Sequence, residues 1–380
     1  MRRRLFLQTG LVATLGTPLL AALDDKGFEG AAQILQRATE SGQVHAAVLH
    51  VQRKDTHASR HFGQSQSKDA MFLLGSISKP ICVTALMRLY DQGEFQLTDR
   101  ARRYLPEFTG SGRDDITILQ LLTHVSGLPD QLPNNNALRA AHAPQSEFVK
   151  QALRTPLLFA PGTRYQYSSM AILLATHIAE RISGVPILEL VDRTVLQPLS
   201  MKHSAAGKGH FQLEQLTPVQ TERAAVESGA GDPGAKNWDW NSPYWRGLGA
   251  TWGGVHASAP DVARFLHEFL SCQGQAVKPE TARLMTRNHN PSGLTPRGLG
   301  FNVGKLAGSP GCSERTFGHT GSTGTLCWAD PATETICVVL TSLPGRAVQP
   351  HPRELAAAKS PSMRQRGQSD ALSCGVLNSV

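Results

Sequence analysis

The sequence predicts an α+β fold, with an antiparallel sheet flanked by helices and a mostly helical lobe inserted between its parts. Three observations predict it. Val44 to Arg53 alternates as a strand, and Ala58 to Phe62 reads as its hairpin partner. From Ser76 to about Asp91 the apolar residues recur at helical spacing, and residues 97–240 read mostly as helices and loops. From Gly298 onward the β pattern returns, so both ends of the chain contribute to one sheet.

The elements follow in order. The apolar run Met71-Phe72-Leu73-Leu74-Gly75 leads into a helix from Ser76 to about Asp91, carried by Ile77, Ile81, Ala85, Leu86, Leu89 and Tyr90. Pro80 fits only the first turn of that helix, which places Ser76 at its start, and Gly93 ends it. Further helices are expected at Ile116 to Leu122, Ser146 to Arg154, Ser168 to Ile182, Ile187 to Val195 and Ala259 to Leu270. Residues 222–247 are rich in Gly, Asn and Trp and read as a long loop. Four of the five tryptophans (238, 240, 245, 252) lie in or just after it. Gly298 to Val303, Thr325 to Ala329 and Thr335 to Leu340 read as strands, the last two joined by a turn at Asp330-Pro331.

Domain organisation follows from the same pass. Arg3-Arg4-Leu5-Phe6-Leu7-Gln8 before a short apolar stretch reads as a twin-arginine-type signal over 1–23, which implies an exported, periplasmic or extracellular protein. Residues 24–345 form one domain, with an α/β lobe from 24–75 and 245–345 and a helical lobe over 76–244. Residues 346–380 read as an irregular tail, because Ser360-Pro361 interrupts the helical start at Leu355. No later segment is long and apolar enough to span a membrane.

The net charge of +8 resides mainly at the ends. Arg2, Arg3 and Arg4 carry three positives, the tail from Arg346 carries a net +3, and the body is left with +2. A body this close to neutral does not fit a nucleic-acid binder. The six cysteines (82, 272, 312, 327, 337, 374) show no metal spacing. Cys327 and Cys337 flank the Asp330-Pro331 turn, so they either face each other across a hairpin as a disulfide or are buried singly. His267-Glu268 lacks the second histidine of a zinc site, and no metal or organic cofactor is indicated.

Ser76-Ile77-Ser78-Lys79 is a Ser-x-x-Lys motif. Positions i and i+3 share a helix face, so Lys79 reaches the Ser76 hydroxyl. Serine needs a neighbouring base to become a nucleophile, and a lysine serves when burial disfavours its charged form. The positive end of the helix also favours the alkoxide. Such a motif alone arises by chance about once in a chain of this length. Ser65-Gln66-Ser67-Lys68 matches as well, but it lies in a polar stretch with no apolar helix behind it. Ser76 taken alone would be a helix cap.

Two further elements stand in order after Ser76. Tyr165-Gln166-Tyr167-Ser168-Ser169 follows a Pro161-Gly162 turn, and His319-Thr320-Gly321-Ser322 opens into a strand. The series Ser-x-x-Lys, Tyr-Ser-x, His-Thr-Gly resembles the class C β-lactamase and penicillin-binding-protein superfamily. That superfamily includes D-alanyl-D-alanine carboxypeptidases, family VIII carboxylesterases and D-amino-acid peptidases. Leu121 to Pro129 (LLTHVSGLP), Tyr104 to Phe108 (YLPEF) and Gly253 to Asp261 (GGVHASAPD) are similar to intervening segments of the same group. The resemblance spans about residues 28–343 and implies a β-lactamase/transpeptidase-like fold.

The resemblance also implies roles. Ser76 would form an acyl-enzyme, Lys79 would accept its proton, and Tyr167 would relay a proton to the leaving group. The N–H groups of Ser76 and Ser322 would form the oxyanion hole. His319, Thr320, Gly321 and Ser169 would hold substrate. Outside the motif, Tyr167 would read as a core tyrosine and His319 as a turn residue, and His124 reads as structural. Two positions depart from the family pattern. Ser169 replaces the asparagine of Tyr-x-Asn, and His319 replaces the lysine of Lys-Thr-Gly. Both changes weaken the case for efficient β-lactam hydrolysis.

The function expected is therefore hydrolysis of esters or D-amino-acid amides, on a small-molecule ester, amide or peptide substrate. Alternatives are a penicillin-sensitive D-alanyl-D-alanine carboxypeptidase or weak β-lactamase, and an inactive binding protein that keeps the fold. The Trp-rich loop is expected either to pack or to wall a cleft for an acyl group. No Gly-x-Ser-x-Gly elbow is present, which argues against an α/β-hydrolase. Nothing in the sequence speaks to oligomeric state.

Overall fold

A computed structural model describes residues 25–360. The signal reading of residues 1–23, Cys374 and residues 361–380 lie outside the described residues. Six strands form the main antiparallel sheet: β1 (Ala46–Arg53), β2 (Thr56–Gly63), and, after a small sheet, β6 (Asn302–Val303), β7 (Phe317–Gly321), β8 (Thr325–Asp330) and β9 (Thr335–Thr341). Their order is β2-β1-β9-β8-β7-β6, so the two ends of the chain meet where β1 pairs with β9. The small sheet has β3 (Phe72–Leu73), β4 (Ser204–Ala206) and β5 (Val255–Ala257) in the order β3-β5-β4.

Both faces of the main sheet are covered. Ala47, Leu49, Val51, Trp328, Cys337 and Val339 join one apolar cluster with the first helix, Asp25–Glu40, and the last, Pro352–Lys359. Val48, Cys327, Ala329, Ile336, Val338 and Leu340 face the larger core on the other side, with the helices Ser78–Asp91 and Ala259–Ser271. Successive strand residues point to opposite faces. A strand covered on both sides therefore reads as a continuous apolar run, as Thr335 to Thr341 does.

The helical lobe is centred on Ser169–Ser183, which touches Ser78–Asp91, Ile118–Leu122, Gln145–Ala152 and Ile187–Val191. Gly184 closes that central helix in a left-handed turn at φ 67°. Among the described residues, no single helix is long and apolar enough to cross a membrane.

One open alternative is decided and three expectations change. Cys327 and Cys337 are both free and belong to opposite faces of the sheet. The register pairs Cys327 with Val338 and Trp328 with Cys337. That one-residue offset turns the two thiols away from each other, which removes the disulfide option. The stretch after 346 is not irregular throughout, because Pro352–Lys359 is a helix capped by His351, whose side chain accepts from Arg353 N. Its Ala356 and Ala357 are fully buried against the sheet. Small residues gave that contact face too weak a periodic signal to be read from sequence. The strand expected over Gly298 to Val303 shortens to Asn302–Val303, since Gly300 sits at φ +82°. Finally, β4 lies within the stretch expected to be helices and loops and joins the two lobes by pairing with β5.

Candidate active site

The nucleophile candidate is held from several sides. Leu74 N donates to Val255 O at 2.9 Å. Thr323 Oγ1 donates to Leu73 O and Thr325 Oγ1 to Leu74 O, both at 2.6 Å. Gly75, at φ +55°, turns the chain into a short 3₁₀ turn, Gly75–Ile77, that runs into the helix Ser78–Asp91. Ser78, the second serine of the motif, is buried and its Oγ accepts from Val255 N at 2.9 Å. Ser78 is thus a structural tie, and half-buried Ser76 is left facing a cleft.

Lys79 is fully buried beneath Ser76. Its Nζ lies 2.9 Å from Ser76 Oγ and donates to Trp252 O at 2.8 Å. The ammonium also sits over the Tyr167 ring at 4.8 Å. Burial pushes the lysine down to about 7; nearby Asp130 opposes the shift and Arg297 adds to it. Near neutral pH a large share of Lys79 is therefore the free amine, able to accept a proton.

Tyr167 is presented by the loop ahead of the helix Ser169–Ser183. Ser168 caps that helix by accepting from Ala171 N at 3.0 Å, and its hydroxyl donates to Pro129 O at 2.8 Å. Ser168 N donates to His124 Nδ1 at 3.2 Å, and the His124 ring lies 4.7 Å from that of Tyr167. His124 is buried, and desolvation with neighbouring cations keeps it neutral. It buttresses the tyrosine, in line with a structural role. Burial pushes the Tyr167 phenol above its usual range; Arg297 and the Ser76 hydroxyl oppose that shift. The resting group is a phenol, a proton donor.

Ser169 does not stand alone in the asparagine position. Its Oγ donates to Asp130 Oδ1 at 2.6 Å and its backbone N–H donates to the same oxygen at 2.9 Å. The pair places a fixed carboxylate near Lys79, where it favours the ammonium.

His319 is buried on β7. Its Nδ1–H donates to Thr320 O at 2.7 Å, and its Nε2 accepts from Arg297 Nη2 at 2.8 Å. These bonds assign a neutral Nδ1–H tautomer. Burial, then Arg297, then Lys79 hold its pKa well below the ordinary value. Arg297 is itself buried; it also donates to Gly300 O at 3.2 Å and to Asn302 Oδ1, and lies over the Tyr167 ring at 5.5 Å. The fixed positive charge of this region belongs to Arg297, one layer behind the histidine.

Gly321 lets β7 approach the segment that leads into Ser76, since an added Cβ would collide with Leu74 O and Thr325 Oγ1. The same approach sets Ser322 N beside Gly75, 3.0 Å from where a Cβ there would lie. Ser76, Tyr167, Ser169, His319, Thr320, Gly321 and Ser322 all line one cleft of about 550 Å³, walled on another side by Trp240, Trp245 and Trp252.

All the residues singled out from sequence converge here, with Lys79 beneath the floor. The competing Ser65 does not: it is a loop residue after β2, and Lys68 faces outward to Asp69 at 3.7 Å. Sequence reading missed Asp130, Arg297 and the carbonyl of Trp252. Asp130 directly follows the LLTHVSGLP segment, a weak signal; Arg297, isolated before Gly298-Leu299-Gly300, offered none.

A sequence profile of the family described as "Beta-lactamase" matches residues 31–360. A Salmonella enteritidis protein provisionally described as a D-alanyl-D-alanine carboxypeptidase is 28% identical over 307 residues, 73% of this chain and 70% of that one. Esterase EstB of Burkholderia gladioli is 29% identical over 332 residues, 78% of this chain and 79% of that one. The solved structure of a D-stereospecific amidohydrolase from a Streptomyces species is similar at TM-score 0.66 and 20% identity, covering 83% of this chain and 94% of that one. The structural likeness supports a β-lactamase/transpeptidase-like fold.

Proposed function

This chain belongs to the beta-lactamase family and is a serine hydrolase of it, and from that premise we propose that it hydrolyses small esters or D-amino-acid amides through an acyl-enzyme on Ser76. One observation carries the reading: Lys79 Nζ, fully buried and with its pKa near 7, stands 2.9 Å from a cleft-facing serine hydroxyl.

The proposed steps use only groups of this chain. Neutral Lys79 takes the Ser76 proton as Oγ bonds to the substrate carbonyl carbon. The oxygen that becomes negative receives hydrogen bonds from Ser76 N–H and Ser322 N–H. The C–O or C–N bond then breaks. Tyr167 gives its proton to the departing atom and recovers one from the Lys79 ammonium. Water attacks the acyl-enzyme, passing its proton through the same pair, and Ser76 leaves with a proton restored.

The neutral His319 favours ester or amide hydrolysis over efficient β-lactam hydrolysis, because the ammonium of a Lys-Thr-Gly motif is missing from the cleft surface. A D-alanyl-D-alanine carboxypeptidase is the second reading, supported by the Salmonella relative. The inactive-binder alternative is disfavoured by the intact Ser76–Lys79 contact. Export to the periplasm or beyond is proposed on Arg3-Arg4-Leu5-Phe6-Leu7.

The test is p-nitrophenyl butyrate hydrolysis by the wild type, Ser76→Ala and Ser65→Ala. Turnover by wild type and Ser65→Ala, with a loss of about 10³-fold or more in Ser76→Ala, is expected. An inactive wild type, or an active Ser76→Ala, overturns the assignment.

A further inference from the structure

Two buried arginines lie along the Trp-rich wall of the cleft, and they differ in how they are satisfied. Arg246 is saturated: it donates to the carbonyls of Trp240, Leu213, Leu216 and Thr217 and to Asn241 Oδ1. Its role is to tie the loop together. Arg139, 3% exposed, donates only to Trp238 O, at 3.2 Å, and its buried Nε has no acceptor. Among the described side chains, no carboxylate is within ion-pair distance of it. Asp239, whose charge acts on Arg139, spends Oδ1 on the N–H groups of Asn241 and Ser242.

The guanidinium is held between aromatic rings, 4.8 Å from the centre of Trp238 and 4.2 Å from that of Trp245. Stacking fixes its plane but uses none of its N–H donors. Trp245 Nε1 is a second buried donor without a partner. Arg139 and Trp245 both line the cleft that holds Ser76. Trp252 connects them to the chemistry: its ring meets Trp245 at 6.2 Å and its carbonyl holds Lys79 Nζ. A buried, under-satisfied cation is costly unless something supplies acceptors.

The direction of the cleft decides which part of the substrate meets Arg139. The leaving atom must stand beside Tyr167, whose ring lies 6.0 Å from that of His319. An acyl chain that leaves Ser76 on the side away from Tyr167, along Trp252 and Trp245, would reach Arg139, which lines the same cleft.

We infer that Arg139 is a specificity residue and that the preferred acyl group ends in a carboxylate, as in a half-ester or half-amide of a dicarboxylic acid. The planar guanidinium takes a carboxylate through two parallel N–H bonds while the tryptophans cover the chain between. The same cation disfavours an acyl group bearing a free ammonium, so it selects the ester branch of the proposed function over D-amino-acid amides. Burial lowers the Arg139 pKa only to about 10, so it stays charged at neutral pH. This inference rests on the ester-hydrolase reading above.

The experiment compares kcat/KM for p-nitrophenyl hydrogen glutarate and for p-nitrophenyl pentanoate. Wild type is expected to favour the glutarate ester by about tenfold or more. In Arg139→Gln the ratio of the two substrates falls to about one. Asn135→Asp, one helical turn before Arg139 and also lining the cleft, places a carboxylate beside the guanidinium and is expected to do the same. Equal or reversed preference in wild type overturns the inference whether or not the variants fold. So does a folded Arg139→Gln or Asn135→Asp that keeps the glutarate preference, which would then come from another cation of the cleft. A wild type that cleaves neither ester sinks the hydrolase reading instead.

Discussion

Arg297 donates from Nη2 to His319 Nε2 across 2.8 Å, which leaves the histidine neutral and the charge one layer deeper. The His-Thr-Gly element thereby gives the cleft a neutral ring, both of whose nitrogens are occupied, with a positive charge behind it in place of an exposed ammonium.

Arg297 and Asp130 act on Lys79 with opposite signs, the first lowering and the second raising its pKa. Replacing Arg297 with Met removes a cation, so Lys79 holds its proton to higher pH. The acid limb of the kcat/KM profile then moves up, and activity at pH 6 falls by about tenfold. Asp130→Asn removes the anion and moves the same limb down. A pH series on the three proteins, with thermal unfolding alongside, checks both; shifts in the same direction refute the pairing.

Lys79 also links stability to pH. Its folded pKa, about 7, lies below the ordinary 10.5. Between those values the unfolded chain holds a proton that the folded chain has released, so this group's contribution to stability rises with pH and is least favourable below 7. Lys79→Met is expected to be inactive, yet more stable than wild type at pH 6 by about 1–3 kcal/mol. The gap should narrow as the pH rises toward 10. Urea unfolding at several pH values measures it, and a variant less stable at pH 6 contradicts the assignment.

Gly321 is required by close approach, since a Cβ there meets Leu74 O and Thr325 Oγ1. Gly321→Ala is expected to lower stability by about 1–3 kcal/mol and to separate the Ser76 and Ser322 amides. Ester turnover should fall mainly in kcat. Retention of wild-type kcat would show that this approach does not set the site.

The five described cysteines are all free, which predicts that residues 25–360 fold without a disulfide. Cys327 and Cys337 are buried on opposite sheet faces, and burial pushes both thiols up to about 12. Neither is expected to react with a thiol reagent before unfolding, and the melting temperature should not change with reductant. A drop under reduction would point to a bond between thiols that this register keeps apart.

What the sequence determined by itself was local. The spacing of Ser76 and Lys79, the proline in the first turn and the apolar run ahead of it specify a helix start with a lysine one turn from the serine. The hairpin of β1 and β2 and the strands β8 and β9 were legible for the same reason: period-two patterning and turn residues act over a few neighbours. Tertiary structure decided what surrounds that core. Arg297 meets His319 across 22 residues, Asp130 meets Ser169 across 39, and Trp252 O meets Lys79 across 173. No local period encodes such pairs. They depend on how the chain returns through the sheet and the helical lobe, and burial there sets the protonation states. The register that parts Cys327 from Cys337 belongs to the same class, because one residue of offset between strands exchanges the faces.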